Sequence, residues 1–484
     1  MSISYGKNSL YWINTAISLF FMFIFGRIIT PVEPLTVAGV QVLGIFIGLI
    51  WAWSTVDMAW PSIVGFIALG FSDYTTVATA FTAGFGNYAT VLLVVFCMAY
   101  GAYLNDTGLN KSIAYWFLTR KICIGRPWVL TAMILIASFV LGFCVSAFAA
   151  VIMMWNIFYN ICDMVGFKKT DKYVGLMVVG IVLAVDLGIM PLPYKPVPVI
   201  IINGLQNTLG IEMNIAKFAV LKTAMAVPAL ALFFLAIRYI FKPDVSKLHT
   251  DVDLFAQYRG VKKTTEQKIA IVSLVVFFFS MFFPGFAPKT NVIAVFLNKI
   301  GTTGCVALMI AILCAVPYKG KKLADYHNVI VKGVNWNVII LLAVTIPLGT
   351  ALSSKDTGIM AWVSQLLQPV FANATPLTFA LLFLVGGLLL TQVAHNIALA
   401  NLLLPIMLTF GVQIGADPEC LSVLLSFALA MAIASPASSP LGALLFGNTE
   451  YVSIKHCYLY TWVFVLILGV CMMCIGYPLG NILF

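Results

Sequence analysis

The chain has 484 residues, 62% of them hydrophobic and only 9% charged, with a mean hydropathy of +1.04. A soluble domain carries about a quarter charged residues, so this composition excludes one. The net charge of +10 invites a nucleic-acid partner, but the basic residues sit in short loops beside apolar runs. That is the positive-inside pattern of a membrane protein, so lipid is the expected surroundings and nucleic acid is not.

Apolar runs recur near the ~20 residues that a helix needs to cross the hydrocarbon core. They lack the alternation of a β-barrel, so the fold class expected is an all-α polytopic membrane protein. The ten cysteines lie mostly inside apolar runs, where Cys behaves as a small hydrophobe. Cys471 and Cys474 form a C-x-x-C inside one such run and read as packing, so no metal and no disulfide framework is implied.

Residues 9–29 read as a first span, Pro31–Pro34 as a turn, and 35–54 and 57–71 as the next two spans, followed by a polar loop containing Thr and Gly. Asn87–Leu104 is a further crossing. Thr107–Lys121 is amphipathic, which predicts a helix in the membrane interface. Pro127–Val165 is too long for one helix and is interrupted around Gly142–Ser146, with Arg120, Lys121 and Arg126 before it and Lys168, Lys169 and Lys172 after it. Basic flanks on both sides place both ends in the cytoplasm, so the segment is expected to be a re-entrant hairpin with a protein-covered tip. The helix over 173–205 is expected to break at Pro191, Pro193, Pro196 and Pro198, since prolines cannot sustain the helical ladder. Residues 216–241 return to the inside, and the lysine-rich 243–268 is a cytoplasmic linker between halves. Spans follow at 268–285 and 301–317.

The second half repeats the first. Asn87 opens NYATVLLVVF and Asn335 opens NWNVIILLAV, and each run leads to Asp-Thr-Gly, at Asp106 and at Asp356. An amphipathic stretch at Gly358–Phe371, a double-length segment at 377–414 and a helix broken around Ser435–Gly442 come next, and 457–482 closes the chain. Ser146 matches His395, Ala149 matches Ala398 and Pro191 matches Pro440 at one offset. The second hairpin opens outside, so the halves are inverted, which is transporter architecture. The domains expected are N-terminal scaffold helices (1–86), a first repeat (87–242), the linker, scaffold helices (269–334) and a second repeat (335–484). The protein is expected in the plasma (inner) membrane with its N-terminus in the cytoplasm.

Polar residues within these segments cost free energy unless they face protein or a wet cavity, so they are site candidates. A small-molecule site is expected where Thr391–Met407 meets Cys144–Asn156. Lys195 can attract an anionic substrate, brace the break by pairing with Asp186, or snorkel to a surface. His395 can donate to substrate or couple transport to protons, and its structural alternative is a histidine satisfied by a hairpin carbonyl. Asn396 donates and accepts, which suits a carboxylate or hydroxyl group. Ser146, Ser435, Ser438 and Ser439 are candidates for substrate contact or helix capping. Asn401, Asn156 and Asn160 read as helix bridges.

From Ala398 the run ALANLLLPIM, and from Ser435 the run SPASSPLGALLFGN, resemble the divalent anion:sodium symporters of the ion-transporter superfamily. The resemblance covers most of the chain from about residue 87. It implies an elevator-type carrier, a homodimer, and two Ser-Asn-Thr signatures that contact substrate carboxylates while nearby backbone oxygens hold sodium. Here the first signature reads Ser146-Ala147-Phe148 and the second His395-Asn396-Ile397. The function expected is secondary transport of small organic anions, di- or tricarboxylates, by exchange or proton coupling. The alternative is a sodium-coupled carrier of dicarboxylates or a sulfate-like anion, with sodium as the one ion in question and no other cofactor. An enzyme is not expected, because metal-ligand spacing, a phosphate loop and a nucleophile–base pair are all missing, and paired hairpins argue against a channel.

Overall fold

The computed structural model describes residues 9–144, 146–249, 262–288, 290–371, 373–436 and 438–484. Among them, 11 helices are long and apolar enough to cross a membrane, or up to 13 if two bent pairs are each one span. The one strand pairing among the described residues is two residues long, Pro317–Tyr318 against Lys321–Lys322 in a basic loop. The fold is therefore all-α and polytopic.

Both hairpins form. Pro127–Cys144 and Ala147–Val165 make the first, and Pro376–Leu390 and Asn396–Ile414 the second. Both proline-rich breaks form as well, dividing Lys172–Ile189 from Pro196–Leu209 and Pro418–Ala430 from Pro440–Phe446. Pro196 and Pro440 each open a helix, where a missing N–H breaks no ladder bond. The repeat extends to backbone conformation. The second arms of the hairpins end at Gly166 (φ 74°) and Gly415 (φ 80°), in the left-handed region that favours glycine. Broken helices and paired hairpins of this kind are consistent with an elevator-type transporter fold.

Two segments differ from expectation. The polar loop after residue 71 contains a helix, Val77–Gly86, capped by Thr76, which accepts from the Thr79 amide. Phe81 and Phe85 of this helix stack on Phe66, tertiary support that local composition does not reveal. The span expected at 301–317 does begin at a break, Gly301 (φ 72°, ψ 160°), but a further helical stretch that was not expected precedes it from Val292. Of the expected linker 243–268, residues 250–261 lie outside the described residues.

The chain forms two compact units, each built from discontinuous segments. One comprises Met1–Leu92, Val199–Glu212 and Asn335–Leu429. Within it, Trp336–Ser353 packs against Ala59–Gly70, Val77–Gly86 and Asn396–Ile414. The other comprises Leu93–Pro198, Met213–Val334 and Ala430–Phe484. Its centre is Lys172–Ile189, buried along almost its whole length against the first arm of the first hairpin. Backbones touch there. A β-carbon on Gly188 would lie 2.0 Å from the Phe139 carbonyl oxygen, and one on Gly142 would lie 2.1 Å from that of Val185. Small residues at such crossings let membrane helices approach closely.

Candidate functional site

The expected site residues divide between the units. Ser146, Asp186, Lys195, Ser435, Ser438 and Ser439 belong to the second unit described above, and His395 and Asn396 to the first.

In the second unit, Ser146 is the exposed N-cap of the arm Ala147–Val165, and its side chain caps nothing. The leading amides of a helix have no internal partner, so this tip keeps free N–H groups. Asp186 is buried, while Lys195 is half-buried with Nζ 5.4 Å from the Tyr194 ring centre. The ion pairs between described residues are Lys169–Glu450 and Lys247–Asp171, so Asp186 and Lys195 do not form one. The ion-pair brace that the sequence allowed is not what holds this break. At the other break Ser438 Oγ donates to the Ser435 carbonyl at 2.7 Å, and Ser439 Oγ donates to the Ala432 carbonyl at 2.5 Å. Ser439 also caps Pro440–Phe446 by accepting from the Gly442 amide at 3.1 Å. Both hydroxyl hydrogens are thus committed to the backbone. Ser435 Oγ, buried, has no partner.

In the first unit, His395 is the N-cap of Asn396–Ile414, again without a capping side-chain bond. It is 3% exposed, its ring centre lies 6.2 Å from that of Trp53, and Nδ1 has no hydrogen-bond partner. The expected alternative, a histidine satisfied by a hairpin carbonyl, therefore does not describe Nδ1. Asn396 is half-buried as the first residue of the helix. Thr391 and Gln392 are fully buried, with bonds to the Leu429 carbonyl (3.1 Å) and the Leu388 carbonyl (2.9 Å).

The same unit encloses a cavity of about 480 Å³ that none of the expected site residues lines. Asn401 does line it, although Asn401 Nδ2 also donates to the Ile397 carbonyl at 2.9 Å. Sequence reasoning passed over its other polar walls, among them Asn87, Thr90, Asn203 and Thr345, because each alone reads as an ordinary helix-terminal or bridging residue. Lys222 was also passed over. It is fully buried within the span Ile215–Phe241, with Nζ 4.5 Å from the Phe218 ring centre. Its sequence signal is an ammonium seven residues inside an apolar run, roughly 10 Å of helix from the end.

Among the described residues, eleven helices long and apolar enough to cross a membrane, two hairpins with uncapped tips and two proline-broken helices make a polytopic membrane protein with a transporter-like fold. A family model described as "Citrate transporter" matches residues 46–434, and the chain belongs to that family. It is therefore a transporter-family protein. It is 27% identical over 297 residues to a sodium-dependent dicarboxylate transporter of Staphylococcus saprophyticus, covering 60% of this chain and 55% of that one. A transporter of the same description from Staphylococcus aureus strain USA300 is 25% identical over 272 residues, covering 54% and 50%. The chain thus spans about half the length of the curated relatives it matches. The crystal structure of the YdaH transporter of Alcanivorax borkumensis, described as having an unusual topology, has a TM-score of 0.55 and 13% identity. That likeness covers 84% of this chain and 88% of the other, and supports the fold.

Proposed function

We propose that the chain is a secondary active carrier of small organic anions, di- or tricarboxylates, working by exchange or proton coupling. The observation that carries this reading is the state of the hairpin tips. Ser146 and His395 each precede a helix whose first amides receive no side-chain cap, and the His395 imidazole is buried with Nδ1 unpartnered. Uncapped amides carry partial positive charge and attract anions. In this reading Ser146, His395, Asn396 and Ser435 contact substrate, Lys195 supplies positive charge, and Asp186 or His395 serves as charge partner or proton carrier. Ser438 and Ser439 hold the shape of the second break. The protein works as a homodimer in the plasma (inner) membrane, with its N-terminus in the cytoplasm.

A sodium-coupled dicarboxylate carrier is the second reading, favoured by the likeness to the sodium-dependent dicarboxylate transporters of Staphylococcus. The tips carry Ala147, Phe148 and Ile397 at signature positions, none of which offers a side-chain oxygen. Sodium here would depend on backbone oxygens. Uptake of labelled succinate into proteoliposomes separates the readings. Exchange predicts uptake driven by internal dicarboxylate without any sodium gradient. Uptake that needs an imposed sodium gradient and ignores preloading overturns it.

A further inference from the structure

The cavity of about 480 Å³ has the size of a small-molecule site and is walled by residues that the carrier reading leaves unused. Its polar wall begins as a chain of side chains. Asn203 Nδ2 donates to Thr90 Oγ1, which donates to Asn87 Oδ1 at 2.8 Å. This leaves the Asn203 carbonyl oxygen and the Asn87 amide hydrogens for a ligand. A further carboxamide comes from Asn401, which is 6% exposed. One of its amide hydrogens is spent on Ile397, while its carbonyl oxygen sits against Gly349, where an added methyl would lie 2.9 Å away. Glycine at 349 therefore leaves room for that carbonyl, which a side chain there would crowd. The wall contains no acidic residue, and Lys355 is its one charged side chain among the described residues. Lys355 is exposed and takes part in neither of the ion pairs between described residues.

A cation at the rim and a wall of amides and hydroxyls match a ligand with one anionic end and further groups that both donate and accept. We infer that this chamber binds a small hydroxylated carboxylate, Lys355 taking the carboxylate and Asn203 and Asn401 the hydroxyl-bearing part. The inference deepens the carrier reading and rests on it for the carboxylate class. It adds a site that excludes the hairpin-tip residues and that distinguishes hydroxy acids from plain diacids.

The test uses the full chain, purified, with Ser353→Cys placed on the chamber wall and its labelling by a charged maleimide read by mass spectrometry at that position. Malate and succinate, which differ by one hydroxyl, are the probes. Malate is expected to slow labelling. Lys355→Gln should raise the concentration for half-protection about fivefold with both probes, and Asn203→Leu about fivefold with malate and under twofold with succinate. Because Lys355 is exposed, its variant is expected to fold like the parent. Absence of protection by malate, or protection that both variants leave intact, overturns the chamber. Uptake in proteoliposomes is scored separately. Protection without uptake keeps the chamber and removes the carrier reading, whereas uptake without protection does the reverse.

Discussion

Two serines four residues apart separate holding a break from serving a ligand. Ser439 donates to Ala432, accepts from Gly442 and caps Pro440–Phe446, so Ser439→Ala should lose about 1 kcal/mol of stability. That loss is measurable as a lowered Tm in detergent. Ser435 Oγ is buried without a partner, so Ser435→Ala removes no bond within the protein and should leave Tm unchanged. If that hydroxyl meets substrate, the variant should raise the half-saturation concentration for transport several-fold. Unchanged transport would make Ser435 a spacer. Lys195 presents a similar choice. The sequence left an ion pair with Asp186 open, but the two side chains do not touch. A lone lysine at mid-membrane costs about 2.5–3.5 kcal/mol on insertion scales, and an anionic substrate would offset that. Lys195→Gln should abolish transport of dianions. Normal uptake at normal expression would return Lys195 to a structural role.

Helical elements were legible wherever composition alone decides them. Hairpins and breaks follow from prolines and from polar residues set in apolar runs, and no tertiary knowledge is needed to see that Pro191–Pro198 cannot be one helix. Val77–Gly86 was missed because its support is the stacking of Phe81 and Phe85 on Phe66, contacts that no local pattern announces. The chamber was missed for a related reason. Asn87, Asn203 and Asn401 are far apart in the chain and become one wall only when three separate segments pack together. The tip residues, by contrast, declare themselves within a single stretch. Packing between elements yields its own prediction at the crossing of the first hairpin with Lys172–Ile189. Gly188→Ala would place a methyl 2.0 Å from the Phe139 carbonyl oxygen, and no side chain can move aside to relieve a backbone contact. The helices must separate, which should cost about 1–3 kcal/mol, the range for overpacked cores. Thermal unfolding in detergent should show a clear drop for Gly188→Ala. Gly386→Ala is the control, since no heavy atom lies within 4 Å of a β-carbon there.

At the scale of the whole molecule, orientation is the property that the inverted repeat makes testable. The first hairpin is entered after Arg120, Lys121 and Arg126 and left before Lys168, Lys169 and Lys172, so the positive-inside rule puts both of its ends in the cytoplasm. The second is left before Asp417 and Glu419 and lacks such basic flanks. Its ends are therefore expected outside, as inversion of the repeat requires. Two exposed positions report these sides, Thr170 just beyond the first hairpin and Asn373 just before the second. Thr170→Cys should react with an impermeant maleimide only after the cells are opened, and Asn373→Cys should react in intact cells. Each label is read at its own position by mass spectrometry, because Cys474 is also exposed. Labelling of both positions from one side would end the inverted assignment and, with it, the expectation that the two hairpin tips enter the membrane from opposite faces. Labelling from opposite sides but in the reverse sense would keep the inversion and turn the whole chain over. That result would place the N-terminus outside and set the basic flanks of the first hairpin against the positive-inside rule.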